Sequence, residues 1–313
     1  MPKRLLIVCL ALVLFLSFPL LGTKVDKLSL DATHVLVGKV KNVYSYYDGN
    51  EWGDYLIFSR VDVKVEKKLK GKTNDEVSFV VEGGTVGEMT LKVSTYPLFE
   101  EGENIKLYLK KDKQVFHFLG SEKMNAKGGK PGKPDKEPKG GGCCKTFASW
   151  PIPDVPYFIN PETNDLSPGC VENDIQNGAD AWNSVSNINL SYAGTTTAKE
   201  VNQNYINEIF FRDESSGGAI AVTYTWYIRK GRQIVEFDMY FFDDAWAFFS
   251  LSCSPGSCDG SFYVETIATH EFGHGIGIDH NRCPDSMMYP YAQYCATNTL
   301  TPDDEACVSN LYK

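Results

Sequence analysis

Cysteine and histidine are both scarce in the first half of this 313-residue chain, and each absence excludes a kind of site. No cysteine lies between Cys9 and Cys143, so this stretch can form no disulfide of its own. It contains only two of the five histidines, His34 and His117, and each stands alone in a strand-like sequence. Because a zinc site needs three or four converging ligands, we expect these two histidines to be structural.

No apolar run reaches the usual length of a membrane span. Residues 5–21 follow Lys3 and Arg4 and are apolar, but this run is short for a membrane span. No stop-transfer pattern follows it, and no Ala-x-Ala marks a cleavage point. We interpret residues 1–22 as a signal peptide and predict a secreted protein without stable membrane insertion. A retained membrane anchor is the alternative interpretation.

Residues 23–120 contain short runs rich in β-branched and aromatic residues, separated by turn residues. Apolar and polar residues tend to alternate in these runs, which is typical of strands with one buried face. Five or six such strands predict a small all-β domain, either a barrel or a sandwich. The clearest runs are 34–40, 61–65, 77–81 and 105–109.

Residues 121–144 have six lysines, three acids and almost no apolar side chain, so they cannot bury enough surface to order themselves. We predict a linker here, which is either a spacer or a cleavage site that releases a second domain, residues 145–313. That second domain holds 8 Lys and Arg against 22 Asp and Glu, whereas residues 1–144 hold 23 against 18. Its acidity disfavours nucleic acid as a partner.

The second domain places all its histidines in one short stretch, residues 269–280. His270 and His274 are four residues apart, so a helix would present both imidazoles on one face. Gly277 follows where the helix must end and the chain must reverse, and His280 can then return to the same point. Three imidazoles and one open coordination position are typical of a catalytic zinc, because the open position keeps a water.

Glu271 lies about 100° round the helix from His270, so its carboxylate can reach that water without binding the metal. This placement predicts a general base that also carries the proton to the leaving amine. A bare His-Glu-x-x-His pattern also occurs by chance on ordinary helices. The extended pattern with Gly277 and His280 is far more specific.

This stretch resembles the zinc signature of the metzincin metallopeptidases, specifically that of the matrixin branch. Met288 follows His280 by eight residues and directly precedes Tyr-Pro, which matches the family's methionine turn, where the methionine packs beneath the histidines. The resemblance covers roughly residues 148–313 and implies an α+β domain with a twisted mixed sheet and about three helices.

The resemblance also implies an edge strand along which an extended substrate peptide lies antiparallel, formed by Ile220, Ala221 and Val222. From the residues alone, this stretch is equally well another strand. The acids Asp238, Asp243 and Asp244 resemble a loosened form of the family's calcium-binding segment, and they predict either a calcium site or an acidic surface loop. The extra histidines that hold a second, structural zinc in animal matrixins are missing here.

Eight cysteines remain after removal of a signal peptide, at positions 143, 144, 170, 253, 258, 283, 295 and 307. They permit 105 pairings, and the sequence does not choose among them. A bridge between Cys283 and Cys295 would stiffen the cleft wall around the methionine turn. Cys307 replaces a family glycine in the C-terminal helix, which suggests a disulfide there. Cys143 or Cys144 is placed to act as the zinc-blocking latency cysteine of many matrixins, although the family's Pro-Arg-Cys-Gly sequence is absent.

Together these patterns predict a secreted, zinc-dependent endopeptidase that hydrolyses peptide bonds of protein substrates. The alternative from another class is a zinc-stabilised binding or adhesion protein with an inactive peptidase fold. An intact Glu271 disfavours that alternative, because loss of this acid is the simplest route to an inactive relative. The sequence leaves the substrate, the oligomeric state and the role of the first domain open.

Overall fold

The computed structural model describes residues 24–124, 143–254 and 256–313, with side chains described from Leu28 onward. The predicted signal peptide and most of the predicted linker, residues 125–142, lie outside the described residues. The helices are α1 (Lys24–Asp31), α2 (Pro168–Asn183), α3 (Val264–Gly275) and α4 (Pro302–Leu311). The strands are β1 (His34–Gly49), β2 (Tyr55–Lys70), β3 (Glu76–Glu82), β4 (Gly84–Val86), β5 (Met89–Val93), β6 (Asn104–Asp112), β7 (Val115–Lys123), β8 (Asp154–Ile159), β9 (Asn189–Thr195), β10 (Asn207–Arg212), β11 (Ala221–Ile228), β12 (Gln233–Phe242), β13 (Ala247–Phe249) and β14 (Ser261–Tyr263).

The N-terminal stretch forms a closed barrel of five strands in the order β1-β2-β3-β7-β6. Alternate side chains of these strands fill its interior, among them Leu36, Val61, Phe79 and Leu107. Two details differ from the sequence prediction. Helix α1 precedes the barrel, so this stretch is not entirely β, and β7 continues to Lys123, so the last barrel strand uses residues that the composition had assigned to the linker.

A second sheet has seven strands in the order β4-β5-β11-β12-β10-β8-β9. Strands β8, β9, β10 and β12 pair in parallel, whereas β11 runs antiparallel to β12, so the sheet is mixed. Helices α2 and α3 pack on one face of it around a buried cluster that includes Trp182, Phe237 and Phe272. With α4, the described part of residues 143–313 thus has three helices and a mixed sheet, as the family resemblance implies.

Helix α2 begins where the local sequence indicates. Ser167 is its N-cap and Pro168 occupies the first turn, where a missing N–H costs nothing. The apolar positions Val171, Ile175 and Ala179 recur at helical spacing and are fully buried. Their burial places α2 against α3, and this contact fixes the position of the histidine-bearing helix.

Strand β11 is covered over most of its length, although the stretch of residues 220–222, predicted as a substrate edge, precedes the part that β5 pairs with. Strand β5, from the N-terminal stretch, pairs with β11 from Tyr224 to Ile228, and β4 forms the edge beyond it. The sheet thus combines strands from both halves of the chain. Sequence reasoning placed all strands of residues 23–120 in their own domain, because strand patterns carry no information about distant pairing partners.

Four disulfides join the eight described cysteines: Cys143–Cys283, Cys144–Cys307, Cys170–Cys253 and Cys258–Cys295. The bridge that Cys307 suggested is confirmed. Two other hypotheses are wrong. Cys283 and Cys295 do not pair with each other, and Cys143 and Cys144 have no free thiol with which to block a metal. Among the described residues, no helix is both long and apolar enough to span a bilayer.

Candidate metal centre and active site

Helix α3 positions the first two candidate ligands and then stops abruptly. His270 and His274 lie one turn apart, and the helix ends at Gly275 with Ile276 as its C-cap. Gly277 has φ of 93°, and a Cβ there would lie 2.0 Å from the carbonyl oxygen of Ala148. Only glycine permits this reversal, both because of its backbone conformation and because another backbone passes so close.

The three histidines converge as predicted. The Nε2 atom of His270 lies 3.0 Å from that of His280 and 3.2 Å from that of His274, and the His274 and His280 Nε2 atoms are 3.1 Å apart. On the other side of the rings, Nδ1 of His270 is 2.6 Å from the Met287 carbonyl oxygen and Nδ1 of His274 is 2.8 Å from that of Ile278. A carbonyl can only accept, so both Nδ1 atoms carry the hydrogen and both Nε2 atoms present a lone pair.

This donor set fits zinc. Zinc–nitrogen bonds of about 2.0–2.1 Å in a tetrahedron place ligand nitrogens about 3.3 Å apart, close to the observed spacing. Burial is the main cause that holds the pKa of His274 well below its ordinary value, and the charge of Lys92 adds to it, so this ring stays neutral and able to bind a metal. The backbone carbonyls that hold the Nδ1 hydrogens fix the ring orientation, as is usual for metal-binding histidines.

Glu271 is buried beside this cluster and is not one of its ligands. Its Oε2 accepts a 2.6 Å hydrogen bond from the Thr223 hydroxyl. Burial raises the pKa of Glu271, while His270 and hydrogen bonds from Thr223 and Ser94 partly oppose that rise. A buried carboxylate with a raised pKa, in a cleft that His270 and His280 also line, is suited to proton transfer.

Met288 lies directly under the helix, as the methionine turn predicts. It is 1% exposed, and its sulfur occupies the space next to Gly273, where an added Cβ would lie 2.3 Å from it. The neighbouring residue Met287 contributes its backbone carbonyl to His270. The turn therefore supports the metal site by packing and by orienting one ligand.

The predicted substrate strand divides between the two sides of the sheet. Ile220 and Ala221 line a cleft of about 120 Å³ together with His270 and Glu271. Val222 does not line this cleft, and its side chain is buried in a cluster on the opposite face of the sheet. A substrate that pairs with this strand can use only the backbone groups of the segment before Thr223.

The acids proposed for calcium do not come together. Asp238 accepts hydrogen bonds from the backbone amides of Asn202 and Glu208, and Asp243 accepts from the hydroxyl of Thr163. Asp244 is exposed. Among the described residues, no group of three close metal-binding side chains includes any of these acids, so the structure gives calcium no support here.

Sequence reasoning missed several residues of the site. Ser94 and Thr95 line the cleft although they belong to the N-terminal stretch, and no local signal could have placed them there. Asp304 accepts from the Ser286 hydroxyl at 2.5 Å and from the Met287 amide at 2.9 Å, which ties α4 to the methionine turn. The same Asp304 forms a capping box with Thr301 at the start of α4.

The sequence comparisons agree with this geometry. The family model described as Matrixin matches residues 149–313, which is more than half of the chain. The hatching enzyme of Paracentrotus lividus is 27% identical over 162 residues, which are 50% of this chain and 25% of that protein. Matrilysin of Mus musculus is 47% identical over 47 residues, 14% of this chain and 18% of that protein.

Matrix metalloproteinase-9 of Canis lupus familiaris is 36% identical over 58 residues, 18% of this chain and 8% of that protein. The chain thus spans a quarter or less of the length of these three curated relatives. The family match nevertheless covers the histidine triad, Glu271 and the methionine turn together. The chain therefore belongs to the matrixin family.

Proposed function

We propose that this protein is a secreted, zinc-dependent endopeptidase that hydrolyses peptide bonds of protein substrates. One observation carries the proposal: the Nε2 atoms of three imidazoles converge, and two of these rings, those of His270 and His280, line a cleft together with the buried carboxylate of Glu271. Four disulfides support export, because disulfides persist in oxidising compartments. The acidic second domain disfavours nucleic acid as a partner.

In this proposal His270, His274 and His280 hold zinc. Zinc supplies Lewis acidity, which activates water and polarises the substrate carbonyl. Glu271 accepts the proton of the attacking water at its carboxylate and then delivers it to the leaving amine. Thr223 holds one carboxylate oxygen in place through its 2.6 Å hydrogen bond, so the proton moves at a defined position.

The test is hydrolysis of denatured casein by the zinc-loaded full chain, followed through newly formed amino groups. We expect a chelator to stop hydrolysis and re-added zinc to restore it. Glu271→Gln should lower the rate by about 10²–10⁴-fold, the usual contribution of a general base, while zinc content stays unchanged. Glu265→Gln is the matched control, because Glu265 lies on the same helix and contacts Asn177 instead of the cleft.

Hydrolysis that persists in Glu271→Gln would contradict the mechanism. A protein that binds one zinc per chain, is stabilised by it and yet releases no amino groups from casein would instead support the alternative of a zinc-stabilised binding protein.

A further inference from the structure

Strand β5 occupies the backbone edge of β11 immediately beside the metal centre. Val93 pairs with Tyr224, and the antiparallel register continues to Met89 opposite Ile228. One step further, the Ser94 amide donates to the Thr223 carbonyl at 2.9 Å, and the Ser94 hydroxyl accepts from the Thr223 amide at 3.0 Å. The backbone groups of β11 from Thr223 onward are therefore beside β5 and closed to a substrate.

The direction of β5 decides which part of a substrate it excludes. A peptide that pairs antiparallel with β11 runs in the same direction as β5, because β5 is itself antiparallel to β11. Residues that precede the scissile bond would thus need the positions of Met89–Val93. After Ser94 the chain turns away, with Tyr96 donating to the Val93 carbonyl. On the β11 side the cleft is lined by residues 218–221, where residues after the scissile bond can lie.

The contact at the end of β5 reaches the reacting centre itself. Thr223, whose amide donates to the Ser94 hydroxyl, also donates its own hydroxyl to the Glu271 carboxylate at 2.6 Å, and Ser94 and Glu271 both line the cleft. Ser94 is 7% exposed, whereas Thr95 is exposed at the rim of the cleft. These two residues therefore form the wall that a substrate meets directly before the scissile bond.

Apolar packing holds the N-terminal domain in place. Leu56, Ile57 and Leu91 are fully buried in one cluster with the aromatic side chains Phe210 and Trp226 of the second domain. Removing the N-terminal domain would expose this sheet face to water, which costs free energy in proportion to its apolar area. The domain thus completes a core that the second domain does not close alone.

Charged groups add to this attachment. Arg212 makes two hydrogen bonds with Asp54, at 2.7 and 2.9 Å, and both side chains are buried. The ammonium of Lys92 lies 3.6 Å from the Asp279 carboxylate, next to the third histidine. Such a buried, hydrogen-bonded interface is typical of permanently associated domains rather than of a segment that dissociates.

We propose that the two-domain protein is a one-sided peptidase, in which β5, Ser94 and Thr95 restrict the residues that precede the scissile bond. Substrates are held through the residues that follow this bond, so preferred cleavage lies close to the amino terminus of a chain or of a fragment. This inference rests on the proposed peptidase function and on a substrate that pairs antiparallel with β11.

Two peptide hydroxamates test the sidedness without turnover. In one, the zinc-binding hydroxamate precedes a tripeptide; in the other, it follows a tripeptide. Binding to the zinc-loaded full chain is measured by calorimetry. We expect the first compound to bind at least about tenfold more tightly, because only its backbone finds a free strand edge. Equal affinities, or tighter binding of the second compound, would overturn the inference.

A length series tests the same point in catalysis. Starting from a bond that is cleaved in a peptide mixture, residues are added before or after it. Added residues after the bond should raise kcat/KM, whereas extension from one to four residues before it should lower kcat/KM or leave it unchanged. A rise on both sides would overturn the inference. If no peptide is cleaved while the hydroxamates differ as expected, the proposed function fails and the one-sided cleft stands.

A final experiment separates a permanent wall from a removable one. A specific protease site is introduced in residues 125–142, and the purified full chain is cut there. We expect residues 24–124 and 143–313 to elute together and to retain the preference for the first hydroxamate. Dissociation of the pieces, with a second domain that then binds both hydroxamates equally, would show a releasable inhibitor and overturn the inference.

Discussion

The buried acid Glu236 on β12 holds a strained turn. Glu236 accepts hydrogen bonds from the backbone amides of Asn204 and Tyr205, at 2.9 and 2.7 Å, and Tyr205 has φ of 64°. Burial is the main reason that the pKa of Glu236 rises to about 7. At the level of single residues, a side chain that stabilises a turn therefore also makes stability depend on pH.

The sign follows from the proton that each state binds. Between about pH 4.5 and pH 7 the unfolded chain has released the Glu236 proton, whereas the folded protein keeps it. The free energy of unfolding therefore falls as pH rises through this window, by up to about 3 kcal/mol from this group. We expect Glu236→Gln to lose this part of the pH dependence.

Urea denaturation in the presence of a chelator, repeated from pH 4.5 to pH 8, measures the effect. The difference in unfolding free energy between the variant and the unsubstituted protein should shift in favour of the variant as pH rises. Exposed Glu200→Gln serves as the control and should leave the curve unchanged. Parallel curves for Glu236→Gln and the unsubstituted protein would contradict the assignment.

At the level of elements, α4 supports the metal centre although it contributes no ligand. Its N-cap is a reciprocal capping box between Thr301 and Asp304. The same Asp304 carboxylate accepts from Ser286 and from the amide of Met287, whose carbonyl orients His270. One buried carboxylate thus joins a helix end to the turn beneath the three histidines.

Asp304→Ala should destabilise the protein by about 2–4 kcal/mol, because the helix loses its cap and the buried Met287 amide loses its acceptor. Zinc affinity should fall as well, because the turn that carries the Met287 carbonyl loosens. Denaturation and zinc competition with a chelator measure the two effects. The control is Asp303→Ala, because Asp303 is exposed in the same first turn. An equal loss of stability in both variants would mean that Asp304 acts only through its charge at the helix N-terminus and would contradict the prediction.

At the level of the whole molecule, two domains share one sheet and one apolar cluster. The sequence predicts two units joined by a linker, and the barrel strands follow that pattern. Strands β4 and β5 instead extend the other sheet. The active-site cleft consequently lies between residues that are far apart in sequence, such as Thr95 and Ile220.

The ion pair between Asp54 and Arg212 crosses this interface with little access to water. Asp54→Ala should cost about 3–5 kcal/mol, because it leaves the Arg212 guanidinium buried without its main partner. Urea denaturation measures this loss. Glu76→Ala removes an exposed ion pair with Lys41 within the barrel and should cost less than about 1 kcal/mol. A similar loss of unfolding free energy in both variants would contradict the prediction, because the buried interface pair would then contribute no more than an exposed ion pair.

The sequence by itself determined the histidine cluster, because its spacing is local. A spacing of four residues from His270 to His274, and a glycine before His280, fix the geometry through helix periodicity and backbone freedom. The same holds for the starts of α2 and α4, where Ser167, Pro168 and Thr301 act on their own first turns.

Only the tertiary structure decided the disulfide pairing, the partner of Asp304 and the position of β5 on β11. Each of these contacts joins residues that are remote in the chain. Such a contact forms only where the packing of the whole fold offsets the entropy that is lost when a long loop closes. A strand pattern such as that of β5 records that one face is buried, but the pattern is the same whichever strand lies beside it.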